Sequence, residues 1–169
     1  VLDASGSAQG GTISVTANSN LMSSGTYDAS ASDGQGGLID VTARDLRSLS
    51  ASYDASGTSG GGRVRIGGSF QGGKDLDLSQ SYIDSFVTRW PQSPSLSNAA
   101  KTFLNDGTHI NVSATNGAGG TAIIWSDIET TFLGSLSATG TTGGSVEISS
   151  AATLRYANLS GIDVGDGTL

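Results

Sequence analysis

GGLIDVTAR, residues 36–44, reads as two glycines followed by an alternating strand, and the chain keeps returning to it. GGTISVTAN stands at 10–18, GGRVRIGGS at 61–69, GGTAIIWSD at 119–127 and GGSVEISSA at 143–151. The double glycines lie 26, 25, 58 and 24 residues apart. A recurrence of this length is the sequence signature of a solenoid. After each glycine pair, one position reads Ile13, Ile39, Val64, Ala122 and Val146. The position two further reads Val15, Val41, Ile66, Ile124 and Ile148. Between them stand Ser14, Asp40, Arg65, Ile123 and Glu147. Alternation with one apolar side is the pattern of a strand that buries one face.

A second motif travels with the first. LDASG at 2, YDASA at 27, YDASG at 53, VSATN at 112, LSATG at 136 and IDVGD at 162 supply two more inward columns. One is Leu2, Tyr27, Tyr53, Val112, Leu136 and Ile162, and the other is Ala4, Ala29, Ala55, Ala114, Ala138 and Val164. A looser third set is Met22, Leu49 and Phe132. Two or three short strands per turn, with equivalent residues stacked, describe an all-β chain folded as a parallel β-helix of about six coils. Neighbouring coils must bury one another's faces, because no single coil can bury its own. Helix is nearly absent, and only LSNAAKTFL at 96–104 has room for a turn or so.

The 58-residue interval holds one ordinary coil and about thirty further residues, judged against the repeat itself. Residues 69–106 are read as an excursion inserted into the single 1–169 segment. That stretch carries both prolines and the aromatics Phe70, Tyr82, Phe86, Trp90 and Phe103, so it is expected to pack down. Ile123 and Trp125 point outward by the alternation and need a cover, which the excursion should supply.

Composition narrows the partners. The 169 residues carry 8 basic and 15 acidic side chains, a net charge of -7, which argues against nucleic acid. There is no cysteine for a disulfide, thiolate site or nucleophile. No apolar run reaches the length of a membrane span. Low charge and 26 glycines would suit a linker, but 36% hydrophobic residues at fixed positions require a folded chain. The pattern begins and ends mid-repeat, so an interior part of a longer protein is expected.

Residues 119–150 resemble a recurrent stretch of filamentous-haemagglutinin-like exoproteins, the large secreted adhesins of two-partner secretion systems. The likeness rests on Trp125, Asp127, Thr131, Phe132, Gly134, Ala138, Gly140, Gly143, Gly144, Val146 and Glu147. GGRVRIGGSFQGG at 61–73 is similar to that family's GGxVxIGGxxQG stretch. The resemblance implies a right-handed β-helix shaft and export through an outer-membrane two-partner secretion transporter. It also implies a place outside the bacterial cell or on its surface, an adhesive role, and no catalytic site. Two other readings of the same fold stay open: a polysaccharide lyase or hydrolase, and a structural filament of an extracellular matrix.

Candidate binding residues follow from the outward positions. Asp28 and Asp54 fall in one column with Asp3 and Asp163, and Ser113 and Ser137 are read between them. The aspartates form a calcium site, a carboxylate pair acting on a glycoside or uronide, or a solvated set of turn-capping carboxylates. Calcium is thus the one cofactor to consider. Asp40 and Arg65 share an outward column and are expected to form an exposed ion pair worth about 0.5 kcal/mol. Arg63 and Arg65 together would suit an acidic sugar. Trp125 with Asp127 would make a sugar platform unless the excursion covers it. Trp90, in RWPQSP, is expected at an exposed, proline-stiffened loop tip where glycan or another cell surface would dock. His109 is the sole histidine and no triad can be assembled around it.

Overall fold

The computed structural model describes residues 1–74, 89–90, 93–157 and 161–169. The chain winds into a parallel β-solenoid of about six turns. Three walls run along it. The first stacks the start of β2 (Thr12–Asp28), the start of β3 (Leu38–Asp54), β4 (Arg63–Ile66), β7 (Thr121–Ile124) and β10 (Ser145–Ile148). The second stacks the middles of β2 and β3 on β5 (Lys101–Leu104), β8 (Glu129–Phe132) and β11 (Thr153–Tyr156). The third stacks β1 (Leu2–Asp3), the ends of β2 and β3, β6 (His109–Asn111), β9 (Ser135–Ser137) and β12 (Ile162–Asp163).

The double glycine is where the coil closes on itself. The N–H of the second glycine donates to a carbonyl on the far side of the corner: Gly11 to Ala4, Gly37 to Ala29, Gly62 to Ala55, Gly120 to Val112 and Gly144 to Ala138. A Cβ on the first glycine would overlap the same type of carbonyl in the next coil. At Gly10 it would meet Ala29, at Gly36 Ala55, at Gly61 Val112 and at Gly119 Ala138. The glycines are needed for close backbone approach between coils.

The interior is the set of alternating residues. Ile39, Val41, Val64, Ile66, Ile124, Leu104 and Phe132 are at most 1% exposed. Tyr27 and Tyr53 stack with ring centroids 4.8 Å apart, the distance that separates two coils. Their hydroxyls meet at Ser23 Oγ, 2.8 and 2.7 Å away, and Tyr53 continues to Ser48 Oγ at 3.1 Å. Burial raises the Tyr53 pKa, opposed by these two serines. The network satisfies polar atoms that would otherwise be stranded in the core.

Three expected columns need correction. Tyr53 pairs with Ile110 and not with Val112. The inward columns therefore run Tyr53, Ile110, Leu136 and Ala55, Val112, Ala138, and Ala114 moves out to bridge Gly57. The corner from Asn105 to Thr108 is tight, closed by a hydrogen bond from Thr108 N–H to Asn105 C=O at 3.0 Å, so the strand starts two residues early. Met22 is 69% exposed and Leu49 sits at a corner, while Leu21 and Leu46 point inward. Register shifts between Ala17 and Asn20, and between Ser23 and Gly25, change the phase there. Residues 101–104 belong to the second wall, so the solenoid resumes inside the 69–106 stretch. Ala99 N–H donates to Gly67 C=O at 2.7 Å and Ala100 N–H to Arg44 C=O at 2.8 Å, which fixes this part of LSNAAKTFL as extended chain.

Adjacent glycines provide the test of the corner. Gly61→Ala is expected to lower stability by about 3 kcal/mol, the upper range for overpacking. Gly60→Ala places its Cβ in ordinary contact, 3.5 Å from Gln35 Cγ, and should change stability by less than about 1 kcal/mol. Urea denaturation of both variants distinguishes them. Equal losses would refute the close-approach explanation.

Candidate functional site

The outer face of the first wall carries most of the residues singled out as ligand contacts. Strand register aligns Ser14, Asp40, Arg65, Ile123 and Glu147 across five coils. The chain leaves this wall at Gly67, whose φ of +82° and close approach to Trp125 and Thr102 exclude a side chain. A short 3₁₀ turn, Phe70–Gly73, follows. Phe70 stacks on Trp90 with centroids 4.3 Å apart, and together they lie over Ile123 and Trp125. Ile123 is 0% and Trp125 5% exposed, although their strand points them away from the core.

Arg65 is fully buried and organises the cover. Its Nε and Nη2 donate to the two Asp40 oxygens at 2.7 and 2.6 Å. Nη1 donates to Ser69 Oγ at 2.9 Å and Nη2 to Pro94 C=O at 2.7 Å. One guanidinium thus ties both ends of the excursion to the solenoid. Arg63 Nη2 lies 3.8 Å from the same Asp40 oxygen, and burial, then Arg65, lower the Arg63 pKa. Further ties are Thr42 Oγ1 to Ser97 C=O at 2.7 Å and Thr121 Oγ1 to Arg89 C=O at 3.1 Å. Asn98 Nδ2 donates to Gly72 C=O and to Asp127 Oδ1, both at 3.1 Å, and Trp125 Nε1 also donates to Asp127 Oδ1.

The expected exposed ion pair is therefore a buried, bidentate one, because the excursion removes it from water. Trp90 is 6% exposed, which corrects its expected place at an open loop tip. Its proline neighbour Pro91 lies outside the described residues. Arg63, Arg65, Trp90 and Trp125 are thus packed together, while Asp127 remains exposed. Arg63 and Arg89 also border a groove of ≈ 880 Å³ along the glycine corner.

Asp28 and Asp54 are paired on adjacent coils of the third wall, as the column predicts. Each Oδ1 accepts the N–H two residues on, from Ser30 and Ser56, at 2.9 Å. Asn111, and not Ser113, continues this column, and its Oδ1 accepts from Ser113 N–H at 3.1 Å. Among the described residues no three His, Cys, Asp or Glu side chains converge to hold a metal. His109 Nδ1 meets Ser135 Oγ at 2.6 Å on the exposed side of this wall. The sequence analysis missed Glu147. Both its oxygens accept from Gln71 N–H at 3.1 Å, and Oε1 accepts from Ser149 Oγ at 2.6 Å. Its place in the outward column and in the exoprotein-like motif pointed to it, but neither pattern gave its partners.

No protein-family model matches the chain, and no curated protein matches it. Among solved structures it is similar to the HMW1 secretion domain from Haemophilus influenzae, with a TM-score of 0.66 and 24% identity. The match covers 95% of this chain and 42% of that one, so the chain spans less than half the length of its structural relative. At this identity the likeness establishes the fold.

Two measurements probe the clamp. Arg65→Met strands Asp40 in a buried site and is expected to cost about 3 to 5 kcal/mol in urea denaturation, with Asp40→Asn/Arg65→Met recovering part of the loss. No recovery would mean that the charge pair is not the cause. Burial raises the Glu147 pKa, against the opposing bonds from Ser149 and Gln71. The folded state therefore takes up this proton at a higher pH than the unfolded chain does. Stability from this group rises as pH falls through the raised pKa. The stability of the wild type relative to Glu147→Gln should grow in the same direction, and a flat difference would overturn the assignment.

Proposed function

We propose that this chain is a structural segment of a large exported bacterial adhesin. It acts as a rigid shaft, delivered by an outer-membrane two-partner secretion transporter, and works outside the cell or at its surface without catalysis. The observation that carries the reading is the continuous three-walled solenoid, whose likeness to a secretion domain extends over 95% of the chain. The exoprotein-like motif at 119–150 supports the same assignment. The first wall adds a physical argument. Arg65, Asp40 and Trp125, which a glycoside would need to reach, are held in packing beneath the excursion. In this reading, contact with glycan falls to the groove beside Arg89, which is exposed. Calcium, if bound, belongs at the Asp28–Asp54 pair.

Export is tested by blotting culture medium from cells with and without the outer-membrane transporter. The chain should reach the medium only when the transporter is present, and equal release in its absence would sink the export reading. The purified chain is then passed over immobilised polysaccharides with and without calcium, beside Arg89→Ala. Retention lost in the variant, with no new reducing ends or unsaturated sugars, is the expected result. Release of either product would make the chain an enzyme.

A further inference from the structure

In a solenoid each coil touches only its neighbours, so stability is a sum of nearest-neighbour terms and the coils can open one by one. The excursion departs from that rule. It leaves the chain between β4 and β5, on the third of five coils whose first-wall strands stack as β2, β3, β4, β7 and β10. Its bonds reach one coil back and two coils forward. Backward, Ser97 C=O accepts from Thr42 Oγ1 of β3 at 2.7 Å. On its own coil, Ser69 Oγ and Pro94 C=O accept from Arg65 of β4. One coil forward, Arg89 C=O accepts from Thr121 Oγ1 of β7, and Phe70 and Trp90 lie over Ile123 and Trp125. Two coils forward, Gln71 N–H donates to both oxygens of Glu147 on β10.

The last tie joins coils that are not neighbours, because β7 lies between β4 and β10. From β3 to β10 the excursion spans three coil spacings, about 14 Å. Local geometry holds both partners of that tie in place. Gln71 and Gly72 have φ of 48° and 73°, the left-handed turn that aims Gln71 N–H at the fifth coil. Gly72 lies so close to the Trp125 ring that a Cβ would come within 2.8 Å of Cζ2. The ring is fixed in turn by Nε1 donating to Asp127 Oδ1. On the other side, Ser149 Oγ donates to Glu147 Oε1 at 2.6 Å and orients the carboxylate.

We propose that the excursion is a longitudinal staple, which binds the coils of β3, β4, β7 and β10 into one unit that opens together. A coil that peels away must break its ladder to the next coil and also its bond to the excursion. For the fifth coil that bond is Glu147 to Gln71 of the third. A stretch held in this way yields to a pull along the axis as a block and not coil by coil. That mechanical use rests on the shaft reading above, whereas the coupling of the coils does not.

The test is native-state hydrogen exchange of the purified chain, followed by NMR across a urea series. Gly67 N–H donates to Val41 C=O, Trp125 N–H to Ile66 C=O and Ser149 N–H to Ile124 C=O. These three amides report the second–third, third–fourth and fourth–fifth coil interfaces. In the wild type they should exchange with one protection factor and one urea dependence. Glu147→Ala should speed exchange at Ser149 about tenfold, the effect of losing a hydrogen bond to a charged group, and leave Gly67 unchanged. Gly72→Ala alters only the third coil, yet it displaces Gln71 and should speed Ser149 by a similar factor. The two changes together should add nothing further at Ser149, because they cut one tie. Circular dichroism checks folding, and Glu147→Ala carries the test alone if Gly72→Ala does not fold. Protection that already falls from coil to coil in the wild type would overturn the proposal. So would a Ser149 amide indifferent to Glu147→Ala or Gly72→Ala, or additive effects of the two. Failure of the export experiment with this exchange pattern intact would remove the shaft and leave the staple.

Discussion

One hydrogen bond, made again in each coil, sets the dimensions of this molecule. The N–H of a corner glycine reaches the carbonyl that ends the third wall, and that carbonyl packs beneath the glycine of the coil before it. The number of residues inside the corner varies, from Ala4–Gly11 to Ala138–Gly144, but the closure does not. Once the corner is fixed, the strand that follows has no choice of register. Ile39 must lie on Val64 and Tyr27 on Tyr53. A backbone this close tolerates no Cβ, which is why the chain keeps its glycine pairs while neighbouring positions drift among Ser, Thr and Ala.

The excursion uses that regular platform and departs from it. The first wall offers Ile123 and Trp125 to the outside, and Phe70 and Trp90 cover them. Burying Asp40 and Arg65 in the process is costly unless every charge is matched, and the geometry matches them with a bidentate pair plus Ser69 and Pro94 C=O. The result is a loop held by directional bonds at both ends. The groups that read as a sugar site on an open sheet have become the attachment of a cover. Exposed charge lies instead on the other two walls, with Arg47, Lys101 and Arg155 on the second beside Asp45 and Glu129, and Asp3 and Asp163 on the third.

Much of the fold was legible because it follows from period and spacing. The columns beginning at Ile13 and Val15 are inward as read, and the outward Ile123 and Trp125 were recognised as needing a cover. The errors have a common physical origin. Placing Val112 beside Tyr53 was wrong by two residues, and a shift of two preserves the alternation, so the pattern had no power to detect it. Met22 was wrong by one residue, because a bulge ahead of it reversed the phase. The polar interior of Ser23, Ser48, Thr102 and Thr130 was not anticipated, since hydroxyls read as outward until their partners are known.

The sequence by itself determined that strands recur, that glycines mark the corners, and which side chains alternate inward along the first wall. Those features are local, set by steric rules acting over a few residues. Only the tertiary structure decided which residues of distant coils stand side by side and whether an outward residue meets water. Asp40 and Arg65 share a column in either description. Whether they form a weak surface pair or a buried clamp depends on where Ser69 and Pro94 come to rest. That position is set by the packing of Phe70 and Trp90 over Trp125, a contact between parts of the chain that no local pattern connects.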